Sequence, residues 1–299
     1  MSDAASDAAS ATDVAELEEI ERVAVELATL AGAEIQAALG SMIAVRYKGE
    51  SPEKTLWRDP VSEVDQRVET LIRARLAERF PDHDIVGEEM TERPGRDHHC
   101  VWAVDPIDGT TNFVNGFPMF AASIGVLRRG RPVVGAVWCS TGHALRPGVY
   151  HASAGGKLRF EDSDVTPKVN PAVKRRLAGV PVVEPNDRNW ETRKTGSAAI
   201  ECALVAAGML RVARFQSPNI WDVAAGIALV EAAGGTVRRQ RDGRWEPMRG
   251  FTPEQPAIGG EPDLRFWRHP IIVGAPDAVE RMCAAPASQK PAVESAPRL

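Results

Sequence analysis

Apolar residues recur along this chain in two periods. From residue 13 to 40, Val14, Leu17, Ile20, Val23, Leu27 and Leu30 stand three or four apart among Glu and Arg, and Gly40 follows as a stop. That spacing predicts an amphipathic opening helix. Val64 to Phe80 repeats the period, with Val68, Leu71, Ile72, Leu76 and Phe80 on one face and Pro81 ending it. Short apolar runs come next, Asp84 to Val86, Val101 to Val104, Ala121 to Leu127 and Val133 to Cys139, set apart by Gly, Pro and Asn turns. They predict strands, and helices followed by strands predict α+β layering. Residues 140 to 190 are rich in Gly, Pro and charge, so one half of the molecule is expected to give way to another there. Ser197 to Gly208 and Asp222 to Ala233 then predict Ala-rich helices apolar enough to be buried, the second stopped by Gly234 and Gly235.

Composition narrows the partners. The chain has 299 residues, enough for one large core or two coupled ones. Its net charge of −5 and its scattered basic residues argue against a nucleic-acid or anionic-membrane surface, so a small-molecule partner is expected. No apolar run approaches the ~20 residues that span a bilayer. The opening MSDAASDAASAT lacks the basic start and apolar middle of a secretory signal, which points to the cytoplasm. Cys100, Cys139, Cys202 and Cys283 are widely spaced with no CxxC pair, as reduced thiols would be. Residues 1–12 and the Pro-, Ala- and Ser-rich residues 284–299 are expected to be disordered.

The candidate chemistry lies in WAVDPIDGTTNF. Val101 to Val104 is a strand expected to end at Asp105, which carries that carboxylate out of the sheet. Pro106 turns the chain, Asp108 follows, and Gly109, Thr110 and Thr111 suit a helix start whose backbone N–H groups can bind an anion. Two neighbouring acids raise each other's pKa unless a hard cation lies between them, and Mg²⁺ prefers oxygen ligands. Gly87-Glu88-Glu89 after one short strand, and Asp222 at the start of an apolar helix, are two further acidic positions of the same kind.

The order of these motifs resembles that of the inositol monophosphatase family, within the metal-dependent, lithium-sensitive phosphatases related to fructose-1,6-bisphosphatase. DPVSEVDQ at 59–66, GEE at 87–89, WAVDPIDGTTNFVNGFPMFAASIGV at 102–126, GSAAIECALVAAG at 196–208 and WDVAAGIALVEAAGG at 221–235 all fall in the family's order. DPxDGT alone has a chance frequency on the order of 1 in 10,000 for such a chain. The resemblance implies an αβαβα sandwich, with an α+β metal-binding half at 13–140 and an α/β half at 141–283. It implies two to three Mg²⁺ ions. Glu88, Asp105 and the Ile107 carbonyl would hold one, Asp105, Asp108 and Asp222 a second, and a third would lean on Glu88. Asp65 and Thr110 would orient the attacking water, and the N–H groups of Gly109 and Thr110 would bind phosphate. Gly196, Ser197 and Ala198 would belong to the substrate loop, and Lys54 would steer phosphate. Homodimers are the family's usual state.

The implied reaction is hydrolysis of a small phosphate monoester, with inositol monophosphate first. Histidinol phosphate, or another sugar or nucleotide phosphate, is the alternative, because the inositol enzymes place a glutamate where this chain has Phe215, beside Gln216 and Asn219. A regulatory binding protein on the same fold is a more distant reading, opposed by the intact set of metal ligands. DSDVT at 162–166 and DHDIV at 82–86 resemble aspartyl-phosphate boxes but follow no long buried strand. No cysteine has the CxxxxxR spacing of a cysteine phosphatase. DHHC at 97–100 lacks the zinc domain and membrane spans of the lipid transferases it resembles.

Overall fold

A computed structural model describes residues 11–41, 44–47, 60–93, 97–167, 170, 172–183, 189–256 and 260–284. The opening helix α1 spans Ala11–Ala38 and stops before Gly40, whose φ of 78° only glycine adopts freely. A two-stranded ribbon, β1 (Val45–Tyr47) and β2 (Pro60–Ser62), leads into α2 (Glu63–Arg79). Ser62 caps α2 in a reciprocal capping box with Asp65, which fixes the direction of that carboxylate before any ligand is considered.

Seven strands then form the first sheet. They are β3 (His83–Gly87), β4 (Asp97–Asp108), β5 (Ala121–Arg128), β6 (Arg131–Cys139), β7 (Gly148–Ser153), β8 (Arg159–Phe160) and β9 (Ser163–Asp164), in that spatial order. A short helix α3 (Thr110–Val114) leaves the end of β4. Strands β7 to β9 lie inside the Gly- and Pro-rich stretch, so the passage to the second sheet comes after Asp164 and not near residue 140. The second sheet has the order β11-β10-β12-β15-β13-β14. Its members are β10 (Leu177–Gly179), β11 (Glu191–Arg193), β12 (Val212–Phe215), β13 (Thr236–Arg241), β14 (Arg244–Pro247) and β15 (Ile271–Gly274). Helices α4 (Ala198–Ala206) and α5 (Ile220–Ala232) run between its strands, and α6 (Pro276–Ala284) closes the described chain.

Side-chain alternation explains the layers. On β4, Val101 and Ala103 face one way, and Trp102 and Val104 the other. The second pair packs with Ile20, Leu27 and Ile35 of α1 and Val68 and Ile72 of α2. The first pair packs with α4 and α5, which reach across to Phe215, Val237 and Val273 of the second sheet. Ala178, Val212 and Ile272 cover that sheet's far face together with Val279 and Met282 of α6. The result is an αβαβα sandwich. Because both faces of β4 and β5 are covered, those strands read as continuous apolar runs. No helix among the described residues is long and apolar enough to cross a membrane.

Two glycines set how closely the middle layer seats. Gly125 on β5 and Gly135 on β6 are register partners. A Cβ on Gly125 would lie 2.6 Å from the Ala225 nitrogen, and one on Gly135 would overlap the Ala225 carbonyl oxygen. Helix α5 therefore rests backbone-to-backbone on the sheet, which brings Asp222, in its first turn, towards the end of β4. On the opposite face, His151 of β7 contacts Glu21 of α1 at 2.6 Å through Nδ1 and the Glu161 carbonyl at 2.9 Å through Nε2. Both partners are acceptors, so the ring donates from both nitrogens, and the Glu21 carboxylate holds the imidazole's pKa above its ordinary value despite burial.

Candidate active site

Strand β4 delivers Asp105 to a fully enclosed position: the residue is 1% exposed, and its Oδ1 has no hydrogen-bond partner. A bulge between Asp105 and Asp108 turns the chain so that Asp108, 9% exposed, emerges beside it. Gly109 follows at φ 88°, a conformation that turns the chain into α3. That helix has only five residues, so local N–H groups and not a long macrodipole would serve an anion here.

Asp108 is held from across the molecule. Its Oδ2 accepts from Ser197 Oγ at 2.7 Å and from the Ala199 N–H at 2.5 Å at the head of α4. Ser197 Oγ also caps that helix by accepting from the Ile200 N–H. Gly109 abuts the same loop, where a Cβ would meet Gly196 O and Ser197 Cβ at 3.3 Å. Asn112 ties it further, donating to Met119 O at 2.6 Å and Thr195 O at 2.8 Å. The 196–199 stretch is thus joined to the DPIDGT motif, and Ser197 and Ala199 act on Asp108 itself.

Asp222 is the third residue of α5 and accepts from the Asn219 N–H at 2.7 Å. Ser123, the register partner of Asp105, donates to the Trp221 carbonyl at 3.0 Å and so moors the start of α5 to the β4–β5 pair. Glu88 arrives on the loop after β3, with its N–H bonded to the Val104 carbonyl at 3.2 Å. The loop is held from beneath by the buried Glu69, which accepts from the Glu89 and Met90 N–H groups and pairs with Arg73 at 2.8 Å. Arg265 holds it from the other side through the carbonyls of Gly87 and Met90. Glu69, Ser123 and Arg265 were invisible as site residues in the sequence, because each acts through a backbone group far away in the chain.

Asp65 Oδ2 accepts from Ser62 N–H at 2.8 Å and Ser62 Oγ at 2.5 Å, which leaves Oδ1 towards Thr110 Oγ1 at 3.2 Å. Thr110 Oγ1 also lies 2.9 Å from the Ile107 carbonyl. The single hydroxyl proton of Thr110 is therefore shared between two acceptors, the Asp65 carboxyl and the Ile107 carbonyl. Beside the site is a cleft of about 250 Å³, lined by Gly196, Ser197, Ala198, Glu201, Gln216 and Asp222 among others. Phe215 borders it too. Glu201 accepts from Thr195 N–H and Oγ1 and is pushed up to about 7 by burial. Lys54 lies outside the described residues.

The electrostatics are those of buried carboxyls that repel one another. Burial first, then Glu88, Asp108 and Asp222, drive the Asp105 carboxyl well above its usual range. Burial raises Asp108 to about 6 against the pull of Ser197, and burial with Asp108 raises Asp222 to about 8. Burial raises Asp65 to about 6. An orphaned carboxylate oxygen among acids that repel one another, on hard oxygen donors, fits a divalent ion. A separate group of metal-competent atoms, Glu16, His83 and Cys100 within 4.8 Å, sits towards the other end of β4, roughly 17 Å along the strand from Asp105. There His83 Nδ1 already accepts from Trp102 Nε1 at 3.0 Å, which leaves the proton on the other nitrogen.

These shifts imply a pH dependence for the protein stripped of metal. Folded carboxyls with raised pKa values hold protons that the unfolded chain has released, so stability must fall as pH rises from roughly 4 to 8. In EDTA the melting temperature should decline through that window, and saturating Mg²⁺ should flatten the decline. A melting temperature that climbs with pH in EDTA would contradict this electrostatic account.

Residues 16–264 match the profile of the Inositol monophosphatase family. The chain belongs to that family. It is 33% identical over 230 residues to an inositol-1-monophosphatase of Synechocystis sp., covering 72% of this chain and 77% of that protein. It is 32% identical over 239 residues to the chloroplastic phosphatase IMPL1 of Arabidopsis thaliana, spanning 74% of this chain and 62% of that longer protein. The solved inositol monophosphatase of Anabaena (Nostoc) sp. PCC 7120 shares the fold with a TM-score of 0.67 at 23% identity, covering 90% of this chain and 95% of that one. As a member of the inositol monophosphatase family, a metal-dependent group, the protein is a phosphatase.

Proposed function

We propose that the enzyme hydrolyses a small phosphate monoester with Mg²⁺-assisted water and without a covalent phosphoenzyme, inositol monophosphate being the first substrate. The observation that carries this reading is the mutual repulsion of Glu88, Asp108 and Asp222 with the buried Asp105, whose Oδ1 has no hydrogen-bond partner. In this reading Glu88, Asp105 and the Ile107 carbonyl would hold one ion, Asp105, Asp108 and Asp222 a second, and Glu88 would support a third. The chemistry such ions would supply is a lowered pKa for the attacking water and neutralisation of the phosphoryl oxygens.

The chain's own part is orientation and proton handling. Thr110 Oγ1, steered by Asp65 Oδ1, accepts a hydrogen bond from the attacking water and passes its proton towards Asp65. The N–H groups of Gly109 and Thr110 hold the phosphate for in-line attack. Gly196, Ser197 and Ala198 form the wall against which the alcohol portion lies, with Lys54 steering the anion. Phe215 stands where the inositol enzymes carry a glutamate, so Glu201, Gln216 and Ser217, with the cationic Lys194 and Arg214, are the groups lining this cleft that could meet a substrate's polar portion. A cytoplasmic, lithium-sensitive homodimer belongs to the same proposal, and it suits four cysteines that form no disulfide.

Phosphate release in ~5 mM Mg²⁺, measured across inositol 1-phosphate, histidinol phosphate, fructose 1,6-bisphosphate and phosphoadenosine phosphate with EDTA controls, tests the assignment. Inositol 1-phosphate should lead, and EDTA should abolish release. Release led by another compound would keep the chemistry and replace the substrate. No release from any would favour a regulatory binding protein on this fold.

A further inference from the structure

A second cavity, of about 440 Å³, opens where the β5–β6 turn of the first sheet meets the β13–β14 hairpin of the second. It is at the far end of β5 from Ala121, the register partner of Asp108, roughly 25 Å along the strand from the active site. Four arginines line it, Arg129, Arg131, Arg239 and Arg249, with Glu246 the one carboxylate among the lining residues. Glu246 is already engaged, paired with Arg239 at 2.7 Å across the hairpin. Arg129 Nε donates to His99 Nδ1 at 3.3 Å, a neutralising partner only in hydrogen bonding and not in charge. Arg131 lies in the field of Glu231. Among the described residues, Arg129, Arg131 and Arg249 have no carboxylate within ion-pair distance. On a chain whose net charge is −5, that is a local excess of positive charge inside a concavity.

The backbone makes this a formed feature. Phe251 N–H donates to Gly130 O at 2.8 Å, and a Cβ on Gly250 would lie 2.7 Å from that same oxygen. The two segments therefore dock main chain to main chain, through glycines at φ 79° and 152°. Arg129 itself holds φ at 50°, a position where Gly or Asn would turn a hairpin without strain. A long cationic side chain is kept at an unfavourable backbone angle and lines the cavity, the kind of local cost that functional positions carry.

We propose that this cavity binds a small anion with two or more linked phosphate groups, free or attached to a nucleoside. Guanidinium forks grip phosphate oxygens in pairs, and three forks with no carboxylate partner around one cavity match the several negative charges of a phosphate chain better than a single phosphate. The cavity's volume is in the range of small-ligand sites. Its walls come from both sheets, so the ligand would tie the β5–β6 turn to β13–β14.

Calorimetric titration in EDTA, where the acidic active site repels anions, tests the assignment with tripolyphosphate, ATP and inorganic phosphate. Tripolyphosphate should bind saturably and at least tenfold more tightly than inorganic phosphate. It should raise the melting temperature by about 5 °C at a hundredfold excess over Kd. Arg131→Glu and Arg249→Glu, with the milder Arg249→Gln, should each weaken binding tenfold or more. Arg75→Glu on exposed α2 changes the net charge equally and should leave binding intact. ATP binding more tightly than tripolyphosphate would identify a nucleoside-bearing ligand, and equal binding would identify the phosphate chain alone. Absence of saturable binding, or the same loss in Arg75→Glu, would overturn the proposal. So would a 20-nucleotide RNA that binds more tightly than either through the same arginines, since that would make the cavity part of a nucleic-acid surface.

Discussion

Asp105→Asn should abolish most activity while making the metal-free protein more stable. The carboxylate is buried, its Oδ1 is unpartnered, and Glu88, Asp108 and Asp222 all push its pKa up. An amide of the same shape is neutral without taking up a proton, whereas the buried wild-type carboxyl must hold one that the unfolded chain releases at neutral pH, so the stripped protein should melt at a higher temperature than the wild type. With substrate and Mg²⁺ the same change removes the one carboxylate assigned to both ions. We expect kcat/KM to fall about a thousandfold, equivalent to roughly 4 kcal/mol of transition-state stabilisation. The Mg²⁺-dependent rise in melting temperature should also shrink to near zero. Opposite signs for activity and stripped-state stability are the diagnostic, because a merely misfolded variant would lose both. Activity retained within tenfold at saturating Mg²⁺ would remove Asp105 from the centre of the site.

The second large effect is expected at a position that carries no side chain at all. Gly135→Ala places a methyl group in steric overlap with the Ala225 carbonyl oxygen of α5, and a Gly125 substitution presses on the same turn of helix. Neither contact is with a flexible side chain, so α5 must lift from the sheet. Overpacking of this kind costs about 1–3 kcal/mol for one methyl, and a Val there should cost more than the domain tolerates. Gly135→Ala should lower the melting temperature by several degrees and raise the Mg²⁺ concentration needed for half-maximal activity, because the lifted helix carries Asp222. Thermal denaturation and a Mg²⁺ titration of initial rate would measure both. A lower melting temperature with an unchanged Mg²⁺ requirement would mean that Asp222 is placed by Ser123 and Asn219 alone, independent of helix seating.

The two experiments separate local chemistry from the architecture that assembles it. Asp105 and Asp108 are brought together by a single turn, so their closeness does not depend on the second sheet. Asp222 and Glu88 are different. Asp222 depends on the glycine-lined seat and on Ser123 donating to Trp221 O, and Glu88 depends on a loop pinned by Glu69 and Arg265. Substitutions at these supports should change metal requirement more than they change the chemistry once metal is bound.

Local pattern was enough for much of this molecule. The two opening helices, the four strand runs from residue 84 to 139, and the apolar helices α4 and α5 were all legible, because each has a strong period or a long apolar run bounded by Gly or Pro. The DPIDGT turn was legible for the same reason: strand end, turn and helix start lie within a few residues, and their chemistry is local. The second sheet was not. Strands such as Glu191–Arg193 and Thr236–Arg241 are short and charged, and strand identity there comes from pairing with distant neighbours that no local window contains. Strands β7 to β9 were hidden in a Gly- and Pro-rich stretch for the same reason. What tertiary structure alone decided was the second half of each interaction. Ser197 and Ala199 clasp Asp108, Glu69 carries the Glu88 loop, and two glycines seat α5. A sequence records which groups are available at each position along the chain, but hydrogen bonds and steric contacts act over a few ångströms in space, and only folding sets those distances.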